Sequence, residues 1–276
     1  MSKDKRAPIS EHLAELIDRL RVIIISVMIA TCVVAFIPAN PSSLSFDNIV
    51  NINVTNPLEG FAGYLNSTIV SMVVKKVKAD LLPPDARLIA YSWVDSFSVY
   101  FIISFVLGTI VCLPIIAYEI YAYVNPALYP HERRFLLAFS LAFIGLFAFG
   151  AWYSYVLLTP ITIKFLYYFA LATGAEPIFS IRDFFYFVGL IILISGFFFT
   201  LPIGLTLAIK YEVIEPGVLE EKRKLVIFAI LIVAAIITPD PTPVSMLLIS
   251  VPFIALYEAS IRIGKWLLKS KKKSIS

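Results

Sequence analysis

Apolar and polar positions divide this chain into six apolar runs, one long polar insert and several short polar hinges. The first run, Val22 to Ile37, follows an amphipathic segment. From Glu11 to Arg21, Leu13, Leu16 and Leu20 share one helical face, while Glu11, Glu15 and Arg19 recur at i, i+4 and i+8 on another. Ser10 is the predicted N-cap. This helix is expected to lie at an interface and to run into a first span over residues 21–37. The insert occupies residues 38–93, with turns at Asn40-Pro41-Ser42-Ser43 and Asn56-Pro57. Within it Phe61, Leu65, Ile69, Met72 and Val73 predict a helix over Leu58 to Val77 that lies against a membrane or bundle. Leu82-Pro83-Pro84 ends that helix.

The later runs predict spans at residues 94–123, 135–169, 183–208, 225–238 and 244–263. Pro114 predicts a kink in the second, and Pro160 and Pro202 fall inside the third and fourth. Membrane helices tolerate such prolines when neighbours satisfy the freed carbonyls. The run Leu225 to Thr238 covers only ~21 Å of a hydrocarbon core about 30 Å thick. Pro239-Asp240-Pro241-Thr242-Pro243 joins it tightly to the sixth run, so this pair calls for a thinned bilayer. Residues 264–276 form a basic tail.

Composition changes the solvent. The 276 residues are 59% hydrophobic and 15% charged, where a soluble domain carries about a quarter charged residues. The mean hydropathy is +0.88. So much apolar surface cannot be buried in one water-soluble core. The reading is an all-α integral membrane protein with six transmembrane helices, the last two short, and a long extracytoplasmic first loop. Val22 to Ile37 is longer than a signal-peptide core and follows a helical polar segment; it is read as a retained span, although Pro38-Ala39-Asn40 has the look of a cleavage site. Cys32 and Cys112 lie inside apolar runs and read as packing residues, not a disulfide framework. His12 and His131 sit in polar flanks, and no zinc-ligand spacing occurs. No metal, cofactor or catalytic group is expected.

Lysine and arginine placement orients the spans. The tail carries Lys265, Lys269, Lys271, Lys272 and Lys273, and the N-terminal flank carries Lys3, Lys5, Arg6, Arg19 and Arg21. Arg133, Arg134, Lys222, Arg223 and Lys224 mark the hinges on the same side. Both termini are therefore expected in the cytoplasm.

One hinge stands out. From Pro114 to Arg134 the chain carries Glu119, Tyr123, Leu128 and Glu132, and Pro126 and Pro130 prevent a continuous helix. Asn125-Pro126-Ala127-Leu128-Tyr129-Pro130-His131-Glu132-Arg133-Arg134 resembles the first cytoplasmic loop of the TatC family, the polytopic core of the twin-arginine protein translocase. His12-Leu13-Ala14-Glu15-Leu16-Ile17-Asp18-Arg19-Leu20 is similar to the family's N-terminal motif. Asn56-Pro57-Leu58, Pro114, Pro202 and Thr238-Pro239-Asp240 resemble further family landmarks, in order along almost the whole chain. Two departures stand beside these. Ile17 occupies a position where the family usually has arginine. Thr200 precedes Pro202 by two residues, where many members carry a buried acidic or amide residue.

The resemblance implies a cytoplasmic receptor in which Glu15 and Glu132 bind the paired arginines of a signal peptide, with Tyr123, Leu128 and Glu119 beside them. It implies that the partners are twin-arginine signal peptides of folded substrates, small single-span translocase subunits, membrane lipid and other copies in the translocon, with no nucleic acid. Transport would draw on the proton-motive force, and the chain has no phosphate-binding glycine loop. The chemistry suits the role, because a carboxylate accepts the planar guanidinium fork. Plainer readings stand beside it. Glu15 and Arg19 form a favourable i, i+4 pair, Glu132 suits the first turn of a helix, Tyr123 and Leu128 are interfacial anchors, and Glu119 snorkels.

The rival function is an ion-coupled small-solute transporter. It would need ionisable groups near the bilayer midplane, and none occurs between Asp183 and Lys210. An intramembrane protease or transferase would need a deeply placed nucleophile and base, which these runs lack.

Overall fold

A computed structural model describes residues 9–39, 63–124, 133–210, 214–237 and 243–275. The chain divides into two compact units. The first comprises Met1–Asp80 and Ala90–Leu141, the second Leu81–Ile89 and Ala142–Ser276.

In the first unit α1 (Ile9–Ala35) packs against α3 (Asp95–Val111) and α4 (Leu113–Val124). The inward face of α1 is Val27, Thr31 and Val34, spaced by one helical turn. Opposite it α3 buries Val99, Ile103, Val106 and Gly108. The two backbones approach so closely that a Cβ on Gly108 would stand 2.8 Å from both the Thr31 nitrogen and its Oγ1. Thr31 hides its hydroxyl by donating to the Val27 carbonyl at 2.7 Å. The outward face of α1, including Ile24, Ile25, Met28, Ile29 and Val33, is exposed, as lipid-facing side chains are.

The kink expected at Pro114 is present. α3 and α4 meet at Cys112 with a bend of 55°. Proline lacks the N–H that would bond the Ile110 carbonyl, so the α3 ladder cannot continue. The Cys112 thiol donates to the Ser26 carbonyl at 3.2 Å and ties the bend to α1.

The far end of this unit is held by polar contacts. α2 (Ile69–Leu81) overlaps only the C-terminal part of the predicted Leu58 to Val77 helix, runs four residues past Val77, and ends just before Pro83-Pro84. The Ile69 N–H donates to the Ile37 carbonyl at 3.0 Å. The Tyr64 hydroxyl donates to the Phe36 carbonyl at 2.6 Å, and the Tyr100 hydroxyl donates to the Ala35 carbonyl at 2.5 Å. These bonds satisfy carbonyls at the α1 C-terminus, which have no intrahelical partner.

α5 (Arg133–Tyr153) begins in the first unit and ends in the second. It continues through one π-helical turn, Ser154–Leu158, into α6 (Thr159–Ala172). The resulting stretch Phe139–Ala172 is 34 residues long and apolar enough to cross a bilayer. Pro160 sits just after the π turn. The Ser154 carbonyl accepts both the Thr159 N–H and its hydroxyl, the latter at 2.8 Å, and the Thr162 hydroxyl donates to Leu158 at 3.0 Å. Threonine hydroxyls thus add bonds to carbonyls on either side of Val156, the residue whose helical partner would be the N–H that Pro160 lacks.

α7 (Ile181–Lys210) carries Pro202 and packs along α10 (Pro243–Ile275). α9 (Arg223–Ile237) and the short α8 (Pro216–Glu221) also lean on α10. Their shared core is Leu158, Ile191, Phe199, Ala234, Ile249 and Phe253. Gly196 matters here, because ring atoms of Phe147 reach within 2.7 Å of where its Cβ would stand. The Phe147 and Phe197 rings meet edge to face at 5.1 Å.

Two features go beyond the sequence reading. β1 (Arg87–Ile89) and β2 (Ile178–Ser180) form a two-stranded parallel ribbon, with Arg87 opposite Ile178. α10 is longer than its apolar run suggested, because the basic tail continues the helix to Ile275. At 33 residues it measures ~50 Å. α9 is short as expected, at 15 residues.

The protein is a polytopic all-α membrane protein. Among the described residues three helices are long and apolar enough to span a bilayer, and the bent α3–α4 pair makes a fourth. The six expected spans are not all recovered by that measure. α1 carries Glu15, Asp18, Arg19 and Arg21 in its first half, and α9 is too short.

Candidate functional site

Three charged side chains meet where the N-terminal half of α1 faces α4. Glu15 and Arg19 lie one turn apart on α1, and Glu119 comes from α4. Arg19 donates to Glu15 Oε1 from Nε at 3.0 Å and from Nη2 at 2.8 Å. Its Nη1 donates to Glu119 Oε2 at 3.0 Å. One guanidinium therefore bridges carboxylates that are about a hundred residues apart in the chain.

Local sequence explains the placement. On α4 the inward positions are Leu113, Ile116, Ala117 and Tyr121. The Tyr121 ring packs on Phe139 at a centroid distance of 5.6 Å. Glu119 lies off that face, one turn from Tyr123. On α1 the leucines Leu13, Leu16 and Leu20 are exposed, in keeping with an interfacial stripe.

The site is half-buried. Side-chain exposure is 33% for Glu15, 25% for Arg19 and 13% for Glu119. Burial acts to lower the Arg19 pKa, but the hydrogen bonds and charges of Glu15 and Glu119 outweigh it and raise that pKa. The guanidinium stays charged. By contrast Arg21 and Asp18 form an exposed pair at 3.4 Å, of little energetic weight.

Of the residues singled out in the sequence, Glu15, Glu119 and Tyr123 fall in the described part of the first unit. Glu132 and Leu128, also expected at this site, lie outside the described residues. The Glu15–Arg19 pair read from i, i+4 spacing is present. Sequence reasoning did not foresee that Arg19 also holds Glu119. The available signal was charge: an acid one turn inside a span needs a cation, and Arg19 lies in the last turn of the amphipathic segment.

Thr200 stands at the fourth-span departure. Its hydroxyl donates to the Phe197 carbonyl at 2.7 Å, so it is satisfied within its own helix. A second charged cluster lies in the other unit. Arg223 pairs with Glu258 at 2.8 Å, and Lys265 with Glu220 at 2.5 Å. The Tyr257 hydroxyl donates to the Leu219 carbonyl at 2.8 Å, so α8 is clamped to α10. Among the described residues no three His, Cys, Asp or Glu side chains converge as metal ligands would.

Known proteins share this plan. The family described as Sec-independent protein translocase protein (TatC) matches residues 11–252. The TatC protein of Aquifex aeolicus is 30% identical over 271 residues, covering 96% of this chain and 98% of its own. That of Listeria innocua is 32% identical over 200 residues, covering 72% and 81%. A crystal structure of the twin-arginine translocase receptor TatC superposes with a TM-score of 0.71 at 28% identity, covering 93% of this chain and 99% of that one. This chain belongs to the TatC family of Sec-independent protein translocase proteins.

Proposed function

We propose that this protein is the membrane core of a twin-arginine translocase. It receives the signal peptides of folded substrates at the cytoplasmic rim and nucleates assembly of the translocon with small single-span subunits. It sits in the cell membrane with both termini in the cytoplasm, a reading supported by the bias of lysine and arginine toward one side. Its role is that of a receptor and scaffold without catalysis, and proton-motive force drives transport. Family membership favours this reading over the ion-coupled transporter.

One observation carries the receptor assignment. Carboxylates from two separate helices converge on a guanidinium at the half-buried end of α1. A surface that binds one guanidinium through three N–H groups has the donor–acceptor geometry that a substrate arginine needs. Glu15 and Glu132 are the proposed acceptors for the arginine pair. Glu119, Tyr123 and Leu128 complete the surface, Glu132 and Leu128 on the strength of the family resemblance.

Binding of a synthetic twin-arginine signal peptide to the purified full chain tests this, with its twin-lysine variant as control. A charge-assisted hydrogen bond contributes ~1.5–3 kcal/mol. Each of Glu15→Gln and Glu132→Gln should therefore weaken the twin-arginine peptide by roughly ten- to a hundredfold, less in high salt. Wild-type affinity in the double variant would refute the receptor assignment.

A further inference from the structure

A guanidinium already occupies Glu15, one of the two acceptors proposed for the substrate arginines, together with Glu119 beside it. Arg19 uses Nε, Nη1 and Nη2 to hold Glu15 Oε1 and Glu119 Oε2 at 2.8–3.0 Å. Glu15 Oε2 and Glu119 Oε1 take no part in these three bonds. Among the described residues, two carboxylates and one guanidinium leave the cluster with one unmatched negative charge. The group is also close to water, with Arg19 exposed by a quarter.

We infer that Arg19 is the resident guanidinium of the signal-peptide site, a tethered competitor that an incoming arginine displaces from Glu15 and Glu119, and that this competition sets the preference for arginine over lysine. The inference rests on the receptor reading. It follows from what each cation can replace. A substrate guanidinium can take over the same three directed bonds in one plane, so exchanging it for Arg19 loses nothing in kind. The peptide then gains from the unmatched charge and from its second arginine. An ammonium is a compact, strongly hydrated point charge without the fork. It cannot span Glu15 Oε1 and Glu119 Oε2 as Arg19 does, so it displaces Arg19 at a net loss. Once released, Arg19 sits at the polar end of α1, where a charged side chain returns to water at small cost.

The alternative is that Arg19 merely positions Glu15 and α4. The two roles have opposite signs. Competition means that removing Arg19 tightens peptide binding, whereas positioning means that removal weakens it. Competition also lets a twin-lysine peptide gain more than a twin-arginine peptide, a change in ratio that a structural role does not produce.

The experiment measures dissociation constants of twin-arginine and twin-lysine signal peptides for the purified full chain. Wild type is compared with Arg19→Gln, Arg19→Lys and Glu15→Gln. Arg19→Gln should tighten the twin-arginine peptide about fivefold, the fold-change of a partly exposed ion pair. It should tighten the twin-lysine peptide by more, so that discrimination between them falls. Arg19→Lys keeps the charge but lacks the fork, and should move both values in the same direction by less. It also provides the measurement if Arg19→Gln does not fold. Weaker or unchanged binding of the twin-arginine peptide in the folded Arg19 variants, or an unchanged ratio between the peptides, would overturn the inference. Glu15→Gln separates the two levels. If it binds like wild type, the receptor reading itself fails; if it weakens binding while the Arg19 variants do not tighten it, only the competitor role fails.

Discussion

Replacing Gly108 with alanine probes the seam that holds the candidate site together. The added Cβ would lie 2.8 Å from the Thr31 nitrogen and Oγ1 and 2.9 Å from its Cα. Two of those atoms are backbone, so no rotamer change relieves the clash. α1 must move away from α3 by several tenths of an ångström, and the packing around Val27, Thr31 and Val34 opens. Overpacking of this kind costs about 1–3 kcal/mol. The control is Gly145→Ala on α5, where nothing lies within 4 Å of the new methyl group. There the exchange in a helix interior should stabilise by up to ~1 kcal/mol. The two substitutions are chemically identical and should have opposite signs. Thermal unfolding of the purified protein in detergent reads the difference. Thr31→Ala in the Gly108→Ala background removes only one of the three contacts and should restore only part of the loss. Equal melting temperatures for the two alanine variants, or full rescue by Thr31→Ala, would refute the backbone-contact reasoning.

Three further outcomes are expected. In a background without Cys32 and Cys112, a cysteine at Ser274 should react with a membrane-impermeant thiol reagent only from the cytoplasmic side, and one at Asn48 only from outside; labelling of both from one side would remove the proposed topology. Thr200→Val should leave transport largely intact, because among the described residues the hydroxyl bonds the Phe197 carbonyl of its own helix; loss of transport at normal abundance would assign that position a role. Lys265 holds the Glu220 carboxyl below its usual range. A depressed carboxyl pKa stabilises the fold above the ordinary carboxylate range, and the contribution is lost as pH falls through the lowered value. Glu220→Gln should therefore be less stable than wild type at neutral pH and match it in strong acid, as read by melting temperature across pH; a gap that persists in acid would count against the ion pair.

Local rules carried much of this protein. Apolar runs and their helical period placed the long helices, because a backbone in lipid must satisfy its own hydrogen bonds. The bend at Pro114 and the end of α2 before Pro83-Pro84 follow from proline chemistry, which acts within a few residues. The spacing of Glu15 and Arg19 already contained their pair. The charges on α1 that make its rim polar also shorten its apolar stretch, so the count of spans was less legible than their positions. What periodicity does not encode is which helices touch. The bond from Arg19 to Glu119 exists because Gly108 lets α3 come against Thr31 and because the Pro114 bend turns α4 alongside α1. The β1–β2 ribbon likewise depends on two short segments far apart in sequence finding each other. Helix formation is decided by neighbours three and four residues away. The shared guanidinium is decided by the distance between two helices, and only close packing of the folded chain sets that distance.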